Sequence, residues 1–187
     1  DDSLDGGDGS DAVHQVVDLD QVLTDVSLTG RGSDTLVSVE QAVLTGGPLD
    51  NSLDASGFTT GPVTLVGGTG NDTLAGSQDN DSLDGGDGTD RITQAADTDH
   101  VLNNGTATGH GTDTLTSIEE AHLAGGPGDN TLDASAFTLG SVTLEGLAGD
   151  DSLFGSNSAD SLDGGANDDL FVALAGNDTL SGGTGVD

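Results

Sequence analysis

An all-β fold, a parallel β-roll or β-solenoid with no significant helix, is predicted by three features of this sequence. A nine-residue pattern, G-G-x-G-x-D-x-L-x, recurs in register along much of the chain. A leucine occupies the same place in most copies. A longer period of 79 residues repeats the whole arrangement.

The nonapeptide is clearest at 6–14, 67–75 (GGTGNDTLA) and 85–93 (GGDGTDRIT), with looser copies at 76–84, 146–154, 155–163, 164–172, 173–181 and 182–187. Its sixth position gives Asp72, Asp81, Asp90 and a degenerate Asp99; then Asp151, Asp160, Asp169, Asp178 and Asp187; and Asp2, Asp11 and Asp20 near the start. Glycines at positions one, two and four allow positive φ and close backbone approach, so the first six residues predict a tight turn. The last three predict a short strand whose Leu faces inward while its neighbours face out. One Leu per turn makes no core alone, but stacked parallel turns share one.

The long period carries Asp2 onto Asp81 and Asp160, Asp34 onto Asp113, Asn51 onto Asn130 and Asp72 onto Asp151. More than half of the pairs between 1–79 and 80–158 are identical. The organisation expected is two super-repeat units, 1–79 and 80–158, with a partial third at 159–187, in one continuous solenoid. Each unit is a run of nonapeptides followed by a spacer. The spacers at 21–66 and 100–145 fit the pattern poorly, and their path is open at this stage.

Composition then poses a problem. Thirty-four acidic residues face two basic ones, Arg31 and Arg91, for a net charge of −32, and Phe is the sole aromatic, four times. Such a chain is disordered unless its charge is neutralised. Two carboxylates ~4 Å apart repel by about 1 kcal/mol in water and about 4 kcal/mol at an effective dielectric of 20. Basic patches for nucleic acid or anionic membranes are absent, and no apolar run approaches the ~20 residues of a membrane span. Cysteine is absent, so disulfides do not provide the staples.

The turn leaves backbone carbonyls and an Asp carboxylate converging without a partner. An all-oxygen donor set suits Ca²⁺ better than zinc or copper, and better than Mg²⁺, which keeps its waters. On these residues the chain resembles the RTX (repeats-in-toxin) calcium-binding β-roll proteins. The resemblance implies two nonapeptides per turn, side-chain oxygen from the sixth-position Asp and carbonyl oxygen from positions two and four. Carried over, Ca²⁺ ions are expected between Asp72 and Asp90, Asp81 and Asp99, Asp151 and Asp169, Asp160 and Asp178, Asp169 and Asp187, and Asp2 and Asp20. Asp11, Asp34 and Asp113 join the candidate ligands. The expected carbonyl donors are Gly7, Gly9, Gly68, Gly70, Gly86, Gly88, Gly165, Gly183 and Gly185. Asn51 and Asn130 for Asp, and Leu49 for Gly, mark turns expected to be weak or metal-free; Asn167 stands for Gly at position four, and Ser77, Ser156 and Ser158 stand for Gly elsewhere.

Other residues receive plainer expectations. Asp5, Asp8, Asp84, Asp87 and Asp163 lie off the ligand position and read as exposed charge. His14, His100, His110 and His122 do not recur between copies, so they read as surface residues rather than a metal set. Glu40 and Glu119 recur and read as polar corners, with no nucleophile–base set beside them. Phe58 and Phe137, in LDASGFT and LDASAFT, read as core plugs. Asn104 begins a glycosylation sequon in a spacer.

The expectation that follows is a non-enzymatic, calcium-stabilised structural or adhesive module, extracellular or at the cell surface. The alternatives are an ancillary module of a secreted enzyme or toxin, and ice binding through Thr/Asn rows. Both ends fall within nonapeptides without capping residues, so strand pairing is expected to continue into a longer chain or into neighbouring copies stacked end to end.

Overall fold

The structure, a computed structural model, describes residues 1–187. It contains 21 strands and no helix. Two compact units are present, residues 1–92 with 110–118, and residues 93–109 with 119–187. The 79-residue period is a feature of sequence identity, and the packed units have different bounds.

Each unit is a parallel β-roll of two sheets. In the first, one sheet orders Ser3–Asp5, Gly32–Val37, Ser27–Gly30, Gln21–Thr24, Ser52–Gly57, Thr73–Ala75 and Arg91–Ala95. The other orders Ala12–Val16, Gln41–Thr45, Val63–Thr69, Ser82–Asp87 and Gly111–Thr116. In the second, one sheet runs Glu120–Ala124, Val142–Ala148, Ser161–Ala166 and Thr179–Thr184, and the other Thr106–Gly109, His100–Asn103, Thr131–Ala136, Ser152–Phe154 and Leu170–Val172.

Register shows how the repeat becomes a coil. Thr64 pairs with Ser82 and Thr73 with Arg91, each 18 residues on, so two nonapeptides complete one turn. The same offset pairs Thr143 with Ser161 and Ser161 with Thr179. In the spacers the offset widens. Ala42 pairs with Val63 and Ser52 with Thr73, both 21 on, and Ser3 pairs with Thr35, 32 on.

The longest offset has a cause that periodicity hides. Gln21–Thr24, Ser27–Gly30 and Gly32–Val37 form an antiparallel meander inside the parallel sheet. His100–Asn103 and Thr106–Gly109 repeat its first hairpin in the second unit. The spacer thus doubles back before rejoining the coil.

The core follows the alternation. Leu44, Leu53, Leu65, Leu74, Leu83 and Ile92 are buried in the first unit, and Leu123, Leu132, Leu144, Leu153 and Leu162 in the second. Phe58 and Phe137 are fully buried, each at the end of a strand in a widened turn. The surface expectation for histidine fails at one position. His100 is fully buried, where the other copy has buried Gln21. Its Nε2 lies 3.3 Å from the Ala96 carbonyl, and Gln21 Nε2 similarly donates to the Val17 carbonyl. Both plug the hairpin end of a spacer. His14 is exposed, and His122 sits 3.4 Å from Glu145 at a half-exposed site.

Candidate metal sites

Strand length separates most of the turns into two kinds. Before Gly6 and Gly7 the strand Ser3–Asp5 stops at position nine, but in five other turns the strand runs on through positions one to three of the next nonapeptide. Val63–Thr69, Ser82–Asp87, Ser161–Ala166 and Thr179–Thr184 do so with glycine at positions one and two, and Val142–Ala148 does so with Leu147 at position two. The turn proper is then positions four to six, shorter than the sequence predicts. Where serine holds position two, the strand stops at three residues, as in Thr73–Ala75 and Ser152–Phe154.

All nine glycines expected to offer carbonyls have positive φ, from +85° at Gly183 to +158° at Gly185. At Gly88 the reason is also steric: a Cβ would collide with the Gly70 carbonyl of the preceding turn. Leu147 and Asn167 adopt the same left-handed region, at φ 78° and 84°, where the pattern calls for glycine. That conformation costs a non-glycine residue of order 1 kcal/mol or more, so the coil imposes it.

The sixth-position aspartates form ladders. Asp72 N–H donates to Asp90 Oδ1 at 2.7 Å, and Asn51 N–H to Asp72 Oδ1 at 2.7 Å. In the second unit Asn130, Asp151 and Asp169 donate in turn to Asp151, Asp169 and Asp187, at 2.7, 2.9 and 3.0 Å. Asp160 N–H donates to Asp178 Oδ1 at 3.0 Å. These partners are 18 apart wherever nonapeptides adjoin.

Two expected pairs are not brought together. Asp81 N–H donates to Asp113, and Asp2 N–H to Asp34, each 32 residues on, rather than to Asp99 and Asp20. The doubled-back spacer lies between, so the next stacked strand comes later in the chain. Asp99 and Asp20 are exposed and accept from Thr131 and Ser52. Asp113 is fully buried.

Glu40 is the ligand-position residue that the nonapeptide search misses. Asp11 N–H donates to Glu40 Oε2 at 3.0 Å, which places a glutamate where the next Asp stands elsewhere. Ser38, two residues earlier, has φ 52°, and Ser117 in the other copy has φ 51°. A signal was present, since Ser38 and Glu40 both recur 79 residues on as Ser117 and Glu119. Of the off-position acids, Asp5, Asp8, Asp87 and Asp163 are exposed, but Asp84 is half-buried with Oδ1 shielded from solvent.

Whether these turns suit a cation is decided by what their buried oxygens lack. Asp72, Asp151 and Asp169 are 1%, 1% and 7% exposed, and in each Oδ2 is buried with no hydrogen-bond partner. Asp11 Oδ2 is likewise buried and unpartnered. A Cβ placed on Gly67 would strike Asp72 Oδ2 and lie 2.6 Å from the Gly85 carbonyl oxygen; one on Gly146 would strike Asp151 Oδ2 and lie 2.6 Å from Gly164 O. At Asp72 and Asp151 a position-one carbonyl of the following turn therefore lies on the same side of the turn as the orphaned carboxylate oxygen. Sequence reasoning had named only positions two and four. No three acidic or imidazole side chains converge, so each site rests on one or two carboxylates and backbone carbonyls. Burial raises the Asp72 and Asp151 carboxyls above their ordinary range, opposed by the Asn51 and Asn130 N–H groups and reinforced by neighbouring carboxylates. Buried anions lacking donors and facing carbonyls fit Ca²⁺, which takes six to eight such oxygens. Asp72, Asp90, Asp151, Asp169 and Asp187 would hold it, and it would supply the positive charge that these turns lack.

The serine turns differ. Ser77 N–H and Oγ reach Asp81 at 2.6 and 3.0 Å, and Val63 N–H donates to the same carboxylate at 2.7 Å. Ser156 N–H and Oγ and Val142 N–H hold Asp160 at 2.6, 2.9 and 2.9 Å.

Comparison with known proteins agrees with this geometry. A family model, the RTX calcium-binding nonapeptide repeat, matches in four copies over residues 1–14, 64–99, 143–171 and 163–187, together about half of the chain. A search of curated proteins gave no match. No helix is long and apolar enough to cross a membrane. With its nonapeptides, parallel coil and orphaned turn carboxylates, the chain belongs to the RTX calcium-binding nonapeptide repeat family and is a Ca²⁺-binding repeat module.

Proposed function

We propose that this module is a calcium-stabilised structural element of an extracellular or cell-surface protein, serving an adhesive or fibre-forming role and carrying no catalysis of its own. One observation carries the reading: the glycine turns bury carboxylate oxygens that no group of the chain satisfies, at Asp72, Asp151 and Asp169. Such turns need a cation to close, in a chain of net charge −32 whose core is one aliphatic layer per strand. Metal binding then supplies folding free energy. Millimolar Ca²⁺ outside cells meets that need, and extracellular modules bind with Kd of roughly 10⁻⁴–10⁻³ M. A regular repeating coil with no nucleophile–base pair is suited to spacing and display.

Circular dichroism during Ca²⁺ titration from EDTA is the test. The expected result is little β signal in EDTA and cooperative gain of it in the high-micromolar to millimolar range. Full β structure in EDTA, or saturation below micromolar Ca²⁺, would contradict an extracellular calcium-set scaffold.

A further inference from the structure

Asp81 and Asp160 occupy the family's ligand position, yet their surroundings do not fit a cation. Each carboxylate receives three donors from the chain, one N–H and one hydroxyl from a serine four residues back and one N–H from the adjoining coil. The corresponding Asp72 and Asp151 each receive one N–H bond on Oδ1 and none on Oδ2. The serine hydroxyls are fixed in turn, because Asp79 N–H and Ser158 N–H donate to them at 3.1 and 3.0 Å.

Backbone conformation separates the turns independently. At positions two and four the glycine turns are left-handed, with Gly68 and Gly70 at φ +119° and +123°. Ser77 and Asp79, and Ser156 and Ser158, hold the same positions and are not among the left-handed residues. The peptide planes that bring carbonyls toward a cation in one turn are therefore set differently in the other. Both serines are themselves buried, at 2% and 0% exposure, and so are the carboxylates they hold.

We propose that Ser77 and Ser156 take the place of the cation in their turns, so that Asp81 and Asp160 are held by the chain alone and bind no Ca²⁺. This rests on the reading of the glycine turns as the calcium sites. The module then alternates two closures. Each three-residue strand, Thr73–Ala75 and Ser152–Phe154, has a turn that needs metal before it and a turn that does not after it. The serine decides which aspartates count as ligands, and the sixth-position Asp alone does not identify a site.

Ca²⁺ stoichiometry of the full chain, measured by calorimetry at saturating protein, tests this with three variants whose fold is checked by circular dichroism. Asp81→Asn is expected to bind as many ions as the parent. The double variant Ser77→Gly with Asp79→Gly, which restores G-G-x-G-x-D, is expected to bind one more. Asp72→Asn is expected to bind at least one fewer. Loss of an ion from Asp81→Asn, or no gain in a folded Ser77→Gly/Asp79→Gly chain, overturns the proposal. An unchanged count in Asp72→Asn instead overturns the calcium reading of the glycine turns. Should the serine-turn variants not fold, crystals of the parent grown in millimolar Ca²⁺ decide it: an ion bound at Asp81 or Asp160 refutes the substitution, and ions confined to glycine turns support it.

Discussion

The two turns that flank Thr73–Ala75 begin from the same plan and end differently. Residues 67–72 read GGTGND and residues 76–81 read GSQDND, so both close on an Asp at position six. In the first, glycine lets the strand continue and the peptide planes rotate, and Asp72 Oδ2 is left buried without a donor. In the second, the chain leaves the ladder after Ala75, and the Ser77 N–H turns to its own Asp81. One turn hands its charge to an external ion; the other neutralises it with internal dipoles. A buried carboxylate tolerates either solution and neither is optional, since an unpaired buried charge costs several kcal/mol. The second unit repeats the contrast on either side of Ser152–Phe154, at Asp151 and Asp160.

The contrast is sharpened most by removing a buried ligand. Asp90 is fully buried and accepts the Asp72 N–H. Asp90→Ala should cost ~3 kcal/mol or more of Ca²⁺-loaded stability, by analogy with breaking a buried charged pair, together with at least one bound ion. Chemical denaturation at fixed millimolar Ca²⁺ measures the first and calorimetry the second. A loss under ~0.5 kcal/mol, the range of surface changes, would place Asp90 outside the metal site.

A pH titration of the metal-free chain gives an intermediate effect. Burial raises the carboxyls of Asp72, Asp151 and Asp81, in the last against the Val63 and Ser77 donors. The folded chain thus holds more protons than the unfolded chain from the ordinary value, 3.8, up through the raised ones. Stability is present in full below that ordinary value and falls as pH rises through the raised values. In EDTA the chain should therefore show more β structure near pH 4 than at pH 7. With Ca²⁺ the order should reverse, because protons compete with the ion for the same oxygens. Metal-free structure that increases steadily toward pH 7 would show that these burial costs are met in some other way.

The smallest effect is expected three residues from Asp90. Asp87 is exposed and lies off the ligand register. Asp87→Ala should change stability by no more than about 0.5 kcal/mol, with a gain as plausible as a loss because one repelling charge is removed. Equal losses of bound Ca²⁺ for Asp87→Ala and Asp90→Ala would erase the distinction between positions three and six.

Much of the fold was legible because its signals are local and repeated. The Leu at position eight, at Leu74, Leu83, Leu153 and Leu162, announces a strand with one inward face, and these residues are buried. Phe58 and Phe137 were readable as plugs for the same reason, an apolar ring in a polar stretch repeated at 79 residues. The spacers were not legible. Their residues alternate like any strand, and nothing in Gln21–Thr24 or Ser27–Gly30 states that the pair is antiparallel. The same blind spot put Asp81 with Asp99 and Asp2 with Asp20, because an 18-residue rule was extended across a segment that doubles back. His100 looked like a surface residue because the sequence shows its partner in the other copy, Gln21, and not the hairpin end that both fill.

By itself the sequence determined the all-β coil, the oxygen donor set and the need for a cation. Glycine spacing limits the backbone to turns, aspartate supplies charge that must be countered, and a single leucine per strand requires stacking. Only the tertiary structure decided which aspartates face one another and which of them lack a partner. That depends on the number of residues in each turn of the coil, 18, 21, 29 or 32, and this number is set by how spacers pack. It depends equally on where a serine hydroxyl four residues away points, which spacing permits but only the folded turn fixes.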